Sequence, residues 1–262
     1  MCLILIANRY HAGYPLIIAA NRDEFYDRPT AVLDFWEDAP RVLAGRDKKA
    51  GGTWLGVTTT GRFAAVTNFR DPRLANPAAP SRGALVSDFL SGTTAPDQYL
   101  LDLQQENRPY SGFNLVAGTL DDGLFYYSNM EQQVRRISSG LHGLSNHLLD
   151  TPWPKVETGR NRLKALLSKG KAFSPDDLLE ILHDTTMPPD NRLPDTGVGI
   201  AWERVLSPMF IRSPDYGTRS SSVILIDGEG RGLFVERTFE PVAGGRLNAQ
   251  DKRISFQVGH ER

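Results

Sequence analysis

The sequence is short of the residues that staple or metallate small folds. Its 262 residues contain one cysteine, Cys2, so no intramolecular disulfide can form, and a reducing cytoplasmic setting is expected. The histidines His11, His142, His147, His183 and His260 show no paired ligand spacing, which argues against a metal site. Neither sign of charge is in excess. Lys and Arg number 30 against 31 Asp and Glu, a net charge of -1, so nucleic acid and anionic membrane gain no electrostatic hold. A small-molecule substrate or ligand is the expected partner, and nothing in the composition sets an oligomeric state. No stretch approaches the roughly 18 consecutive apolar residues of a membrane helix, so no integral membrane segment is expected. The apolar opening CLILIAN has no basic region before it and no small-residue cleavage site, unlike a signal peptide.

Several reaction classes lack their motifs. GRDKKAGGT has glycines but no following Lys-Ser/Thr to hold phosphate and magnesium. TGVGIAW has two spaced glycines without a preceding strand, so a dinucleotide fingerprint fails. No G-x-S-x-G elbow occurs. No cofactor is called for.

What is present reads as strands at both ends of the chain with helices between, in one domain over 1–262. The apolar runs Cys2–Ala7 and Pro15–Ala20 flank a turn at NRYHAGY, and Thr53–Thr58 and Arg62–Asn68 flank TTGR, so each pair predicts a hairpin. Helical spacing marks Ala84–Leu90, Pro96–Glu106, Pro154–Lys169 and Pro175–His183, the last with Ser174 as N-cap and proline at N1. Short strands are expected at Phe113–Gly118, Leu124–Ser128, Val134–Ile137 and Gly143–Ser145, and again at Met209–Arg212, Arg219–Asp227, Gly232–Glu240 and Ile254–Gln257. Proline and glycine keep Thr185–Leu206 irregular, and a loop this long borders a pocket or is a surface excursion.

Cys2 is the one strong nucleophile, directly behind Met1. Removal of Met1 would leave an α-amine of pKa about 7.7–8 beside a thiol near 8.5, so one residue would supply nucleophile and base. The same position suits a small buried hydrophobe at the start of a strand. A Cys2–His147 pair of the papain kind is a further arrangement, with nothing in the sequence to bring the two together.

The ordered motifs MCLILIA, AANRDEFYDRP, GGTWLGVTTTGRFAAVTNFRDP, RGALVSDFL, GLSN and DYGTRSSSVIL resemble the NRDE family, also called the transport-and-Golgi-organisation family, over nearly the whole chain. More distantly the chain is similar to N-terminal-nucleophile hydrolases of the choloylglycine hydrolase and penicillin acylase type. That resemblance implies an α+β fold, a four-layer αββα sandwich of antiparallel sheets. It also implies a C–N amide hydrolase or acyltransferase with Cys2 as nucleophile and Arg22 and Asp23 beside it. Asn68 and Asn146 would be oxyanion donors and Arg219 a late arginine of the site. The spacing within NRDE leaves Asn21 and Glu24 as alternative occupants of the Arg22 and Asp23 roles. Each has a plainer reading: Arg22 and Asp23 as an ion pair or turn, Asn68 and Asn146 as caps, Arg219 as a surface residue. The family resemblance also implies a competing role, binding or carrying an acyl-thioester, a lipid-like ligand or haem on the same fold without catalysis.

Overall fold

The computed structural model describes residues 2–259 apart from residues 75, 77, 107, 169–171 and 243–245. The chain opens with β1 (Cys2–His11) and β2 (Tyr14–Phe25), then β3 (Thr30–Phe35), β4 (Val42–Asp47), β5 (Leu55–Thr58) and β6 (Arg62–Asn68). Two helices follow, α1 (Gly83–Ser91) and α2 (Pro96–Glu106), then β7 (Phe113–Thr119), β8 (Gly123–Ser128), β9 (Arg135–Arg136) and β10 (Gly140–Leu144). After α3 (Pro154–Leu167), α4 (Pro175–Leu182) and α5 (Ile200–Val205), the chain ends in β11 (Tyr216–Ile226), β12 (Arg231–Val242) and β13 (Arg246–Gln257).

The strands form two antiparallel sheets, ordered β10-β1-β2-β11-β12-β13 and β3-β4-β5-β6-β7-β8-β9. Both sheets are covered on both faces, so their central strands are apolar at nearly every position rather than alternating. In β1 the even residues Ile4 and Ile6 face the other sheet, packed with Phe63, Ala65 and Tyr126. The odd residues Leu3, Leu5 and Ala7 face α3 and α4, against Val156, Leu163 and Leu178. The outer face of the second sheet takes Leu85, Phe89 and Leu100 of α1 and α2. The layers therefore run helices, sheet, sheet, helices: the expected αββα sandwich.

Several local expectations give way to tertiary pairing. Strands β3 and β4 were not expected; their Val42–Ala44 stretch finds partners across the sheet in β5. The irregular stretch Thr185–Leu206 contains α5, set off by Gly199 at φ 82. Met209–Arg212 is not a strand: only Arg212 forms a bridge, to Gly217. Its backbone groups are met outside any ladder: the Met209 carbonyl by Asn21, the Ile211 amide by the Thr218 hydroxyl, and the Phe210 amide by the Asp184 carbonyl. Of Val134–Ile137 only Arg135–Arg136 pairs. Instead of four residues from Ile254, β13 has twelve, held by a ladder to β12 that runs from Arg231↔Gln257 to Val242↔Arg246. Its polar residues hide it from pattern reading because one face of this edge strand meets water. The Ser174 cap is present as a full capping box with Asp177. Met1, Lys169 and His260 lie outside the described residues.

Candidate active site

The even-numbered face of the first sheet turns polar at one end. Parity carries Ile6 and Ile4 to Cys2 on β1, Ile18 and Ala20 to Arg22 on β2, Ile224 to Ser220 on β11 and Phe234 to Glu236 on β12. Cys2 and Arg22 are directly opposite in the β1–β2 ladder, and Arg22 opposes Ser220 in the next. Where the apolar filling between the sheets ends, a cleft of about 420 Å³ opens. Cys2, Arg22, Asp23, Glu24, Ser220 and Glu236 line it from this sheet, and Trp54, Val66, Asn68 and Arg82 from the other side.

Cys2 is buried, at 8% exposure. Burial pushes its thiol up, and the Asp23 charge adds to the rise; Arg22 and a hydrogen bond from the Asp23 amide oppose it. Arg22 donates to Thr30 Oγ1 at 3.3 Å and stands 3.9 Å from Glu24. Asp23 is buried on the opposite parity and accepts from Thr218 Oγ1 at 2.7 Å. Burial raises its carboxyl, opposed by the positive charge of Lys155.

Asn68, the last residue of β6, lines the cleft, and its side-chain amide has no hydrogen-bond partner among the described residues. Asn146 is different. It is fully buried, and its Nδ2 donates to the Asn68 carbonyl at 3.1 Å. Beside it Ser145 Oγ donates to the Cys2 carbonyl at 3.0 Å. The GLSN segment thus fixes the backbones of Cys2 and Asn68 from behind and does not line the cleft.

Arg219 also lies outside the lining. The β2–β11 ladder pairs Asp23 with Thr218 and Arg22 with Ser220, so Arg219 is the extra residue of a β-bulge. Its Nη1 donates to the carbonyls of Phe25, Tyr26 and Arg28. That clamps the turn following NRDE. Asn21 points into the helix layer, with Nδ2 on the Leu182 and Met209 carbonyls and Oδ1 accepting from Ser221, whereas Arg22, Asp23 and Glu24 line the cleft. His147 is not in the lining; its Nδ1 bonds Thr151 at 2.9 Å and its ring lies by Phe69 and Trp153.

Behind Asp23 lies a buried charge cluster that sequence reading missed. Arg70 and Glu203 pair at 2.7 Å, both side chains nearly sealed. Lys155, on α3, donates to the Leu206 carbonyl, and burial with the nearby Arg70 charge lowers its ammonium to about 8. Glu203 also accepts from the Thr196 backbone and hydroxyl. The long 185–206 segment is thereby tied to the floor of the site.

Comparison with known proteins gives the family of the chain. The chain matches Transport and Golgi organisation 2 over residues 1–241. It belongs to that family. A Transport and Golgi organization protein 2 homolog of Bos taurus is 40% identical over 241 residues, covering 86% of this chain and 87% of the relative. The Homo sapiens homolog is 38% identical over the same length and shares. The Drosophila melanogaster protein is 28% identical over 292 residues, 99% of this chain and all of the relative.

Among solved structures, two variants of the conjugated bile acid hydrolase from Clostridium perfringens superpose with TM-scores of 0.56 and 0.52, at 10% and 9% identity. The first covers 100% of this chain and 99% of its own, the second 99% and 97%. At such identities the likeness is one of fold. The chain therefore shares the sandwich fold of those structures, with Cys2 opening β1, the strand next to the β10 edge of its sheet. Trp54, Arg70 and Arg82 each lie within motifs that carry the resemblance, GGTW, NFRDP and RGALV, so position in a motif was the available signal for them.

Proposed function

We propose that this protein is an N-terminal cysteine hydrolase or acyltransferase acting on the C–N amide bond of a small molecule. The observation that carries this reading is the convergence of Cys2, Arg22, Asp23 and an unengaged Asn68 amide on one cleft. In the proposed reaction the Cys2 sulfur attacks the amide carbon, and its proton passes to the α-amine freed by loss of Met1. Asn68 Nδ2 donates to the developing oxyanion, a contact worth about 3–4 kcal/mol in such sites. The C–N bond then breaks, the amine departs with the proton, and water or another acceptor resolves the thioester. Arg22 favours the thiolate. Asn146 and Arg219 act as positioning residues, the first through the Asn68 backbone and the second through the turn after NRDE.

Three measurements test this. Intact mass of natively expressed protein is expected to be lighter by one methionine, and iodoacetamide is expected to label Cys2. Cys2→Ala should abolish amide turnover; full activity in that variant, or an unreactive Cys2, removes the proposal. The burial that raises the thiol favours a second reading, a non-catalytic carrier of an acyl-thioester, a lipid-like ligand or haem. Native mass spectrometry would then find such a ligand co-purifying, and an empty protein that binds none of them counts against it.

A further inference from the structure

The cations lining the Cys2 cleft are not equally satisfied. Arg28 is held by Asp47 at 2.6 Å and Arg46 by Asp38 at 2.6 Å. Arg22 has Thr30 and Glu24, and Lys49 is exposed to water. Arg82 is the exception: it is partly buried and has no carboxylate partner among the described residues. One of its five N–H donors is accounted for, Nη1 on the Gly112 carbonyl at 3.1 Å. Burial lowers its guanidinium, and the Cys2 and Glu24 charges across the cleft act against that.

Its place in the molecule is equally particular. Arg82 lines both the Cys2 cleft and an adjoining cleft of about 390 Å³ walled by Phe69, Leu74 and Val198. Asn68 is common to both. Its remaining donors are left to the cleft, and the planar fork of a guanidinium matches a carboxylate. The anchoring bond to Gly112 fixes the head group, so little side-chain entropy is lost when an anion arrives.

We propose that Arg82 is the recognition residue for a carboxylate on the ligand of the Cys2 cleft, so that the protein acts on acidic rather than neutral small molecules. As a statement about substrates this rests on the amide-cleaving reading; as a statement about binding it does not. The carboxylate sits at the junction of the two clefts, and the apolar Phe69–Leu74–Val198 wall takes the part of the ligand beyond it.

A matched pair of alkylating reagents tests the inference, N-bromoacetyl-β-alanine and its uncharged carboxamide. In each the Cys2 sulfur displaces bromide and forms a C–S bond, so the chemistry is the same and only the carboxylate differs. Relative to glutathione, the wild type is expected to prefer the acid by about tenfold, the worth of one charge-assisted hydrogen bond. Arg82→Gln should abolish the preference and Arg82→Lys should keep part of it. Using the ratio cancels any change in thiol acidity. An equal ratio in wild type and Arg82→Gln overturns the inference. If neither reagent labels Cys2, thermal shifts with N-acetyl-β-alanine and its carboxamide decide: stabilisation by the acid that Arg82→Gln loses supports it, and equal or absent shifts overturn it. Amide turnover is scored separately. A turnover-dead protein that keeps the Arg82-dependent ratio removes the hydrolase reading alone, and an active enzyme whose ratio ignores Arg82 removes this one alone.

Discussion

At the scale of single residues the decisive quantity is the ionisation of Cys2. Burial and Asp23 raise the thiol above its ordinary value, while Arg22 lowers it. The thiolate fraction, and with it the alkylation rate, should therefore climb through the alkaline range, reaching its midpoint above that of a free cysteine. Removing the negative charge in Asp23→Asn should move the midpoint down, and removing the positive charge in Arg22→Gln should move it up. The rate of iodoacetamide labelling as a function of pH reads both shifts; movement of either in the opposite direction would contradict the assigned electrostatics. That Cys2, Arg22, Asp23 and Asn68 would come to one place was legible from motif order. The separate task of Asn146 was not, because only the folded chain brings its Nδ2 to the Asn68 carbonyl.

At the scale of elements, the cleft depends on how closely the segment before β5 approaches the start of α1. Thr53 N donates to the Gly83 carbonyl at 3.3 Å, and a Cβ on Gly52 would lie 2.5 Å from the Gly83 carbonyl carbon and 2.6 Å from its oxygen. Backbone cannot swing aside like a side chain, so Gly52→Ala should displace the first turn of α1 and carry Arg82 with it. The expected result is loss of the acid-over-amide preference at Cys2 with labelling by the neutral reagent retained. A preference equal to wild type would show that the crossing does not position Arg82. Glycine on each side, Gly52 in GGTW and Gly83 in RGALV, permits the contact. Sequence periodicity found both hairpins and four helices because their apolar spacing is local. It missed β3, β4 and most of β13, whose pairing partners are set by the sheet rather than by their own residues.

For the molecule as a whole, the Arg70–Glu203 pair joins the strand-end region after β6 to the 185–206 segment beneath the site. Both side chains are almost inaccessible, so Glu203→Gln leaves a buried guanidinium without its counter-charge, at a cost of about 3–5 kcal/mol. Urea denaturation should register that loss, and hydrogen exchange should quicken across residues 185–206 more than across β1 and β2. Equal protection in variant and wild type would show that the segment is held by other contacts. The sequence by itself determined the continuous apolar runs that bury both faces of the central strands, the hairpins, the capped helix at Ser174 and the family to which the chain belongs, since each is written in neighbouring residues or in motif order. Only the tertiary structure decided which polar residues meet. A bulge at Arg219 left that arginine out of the cleft lining, parity sent Asn21 into the helix layer and Arg22 into the cleft, and packing of the 185–206 segment brought Glu203 to Arg70. These outcomes turn on side-chain direction and long-range register, which adjacent residues do not specify.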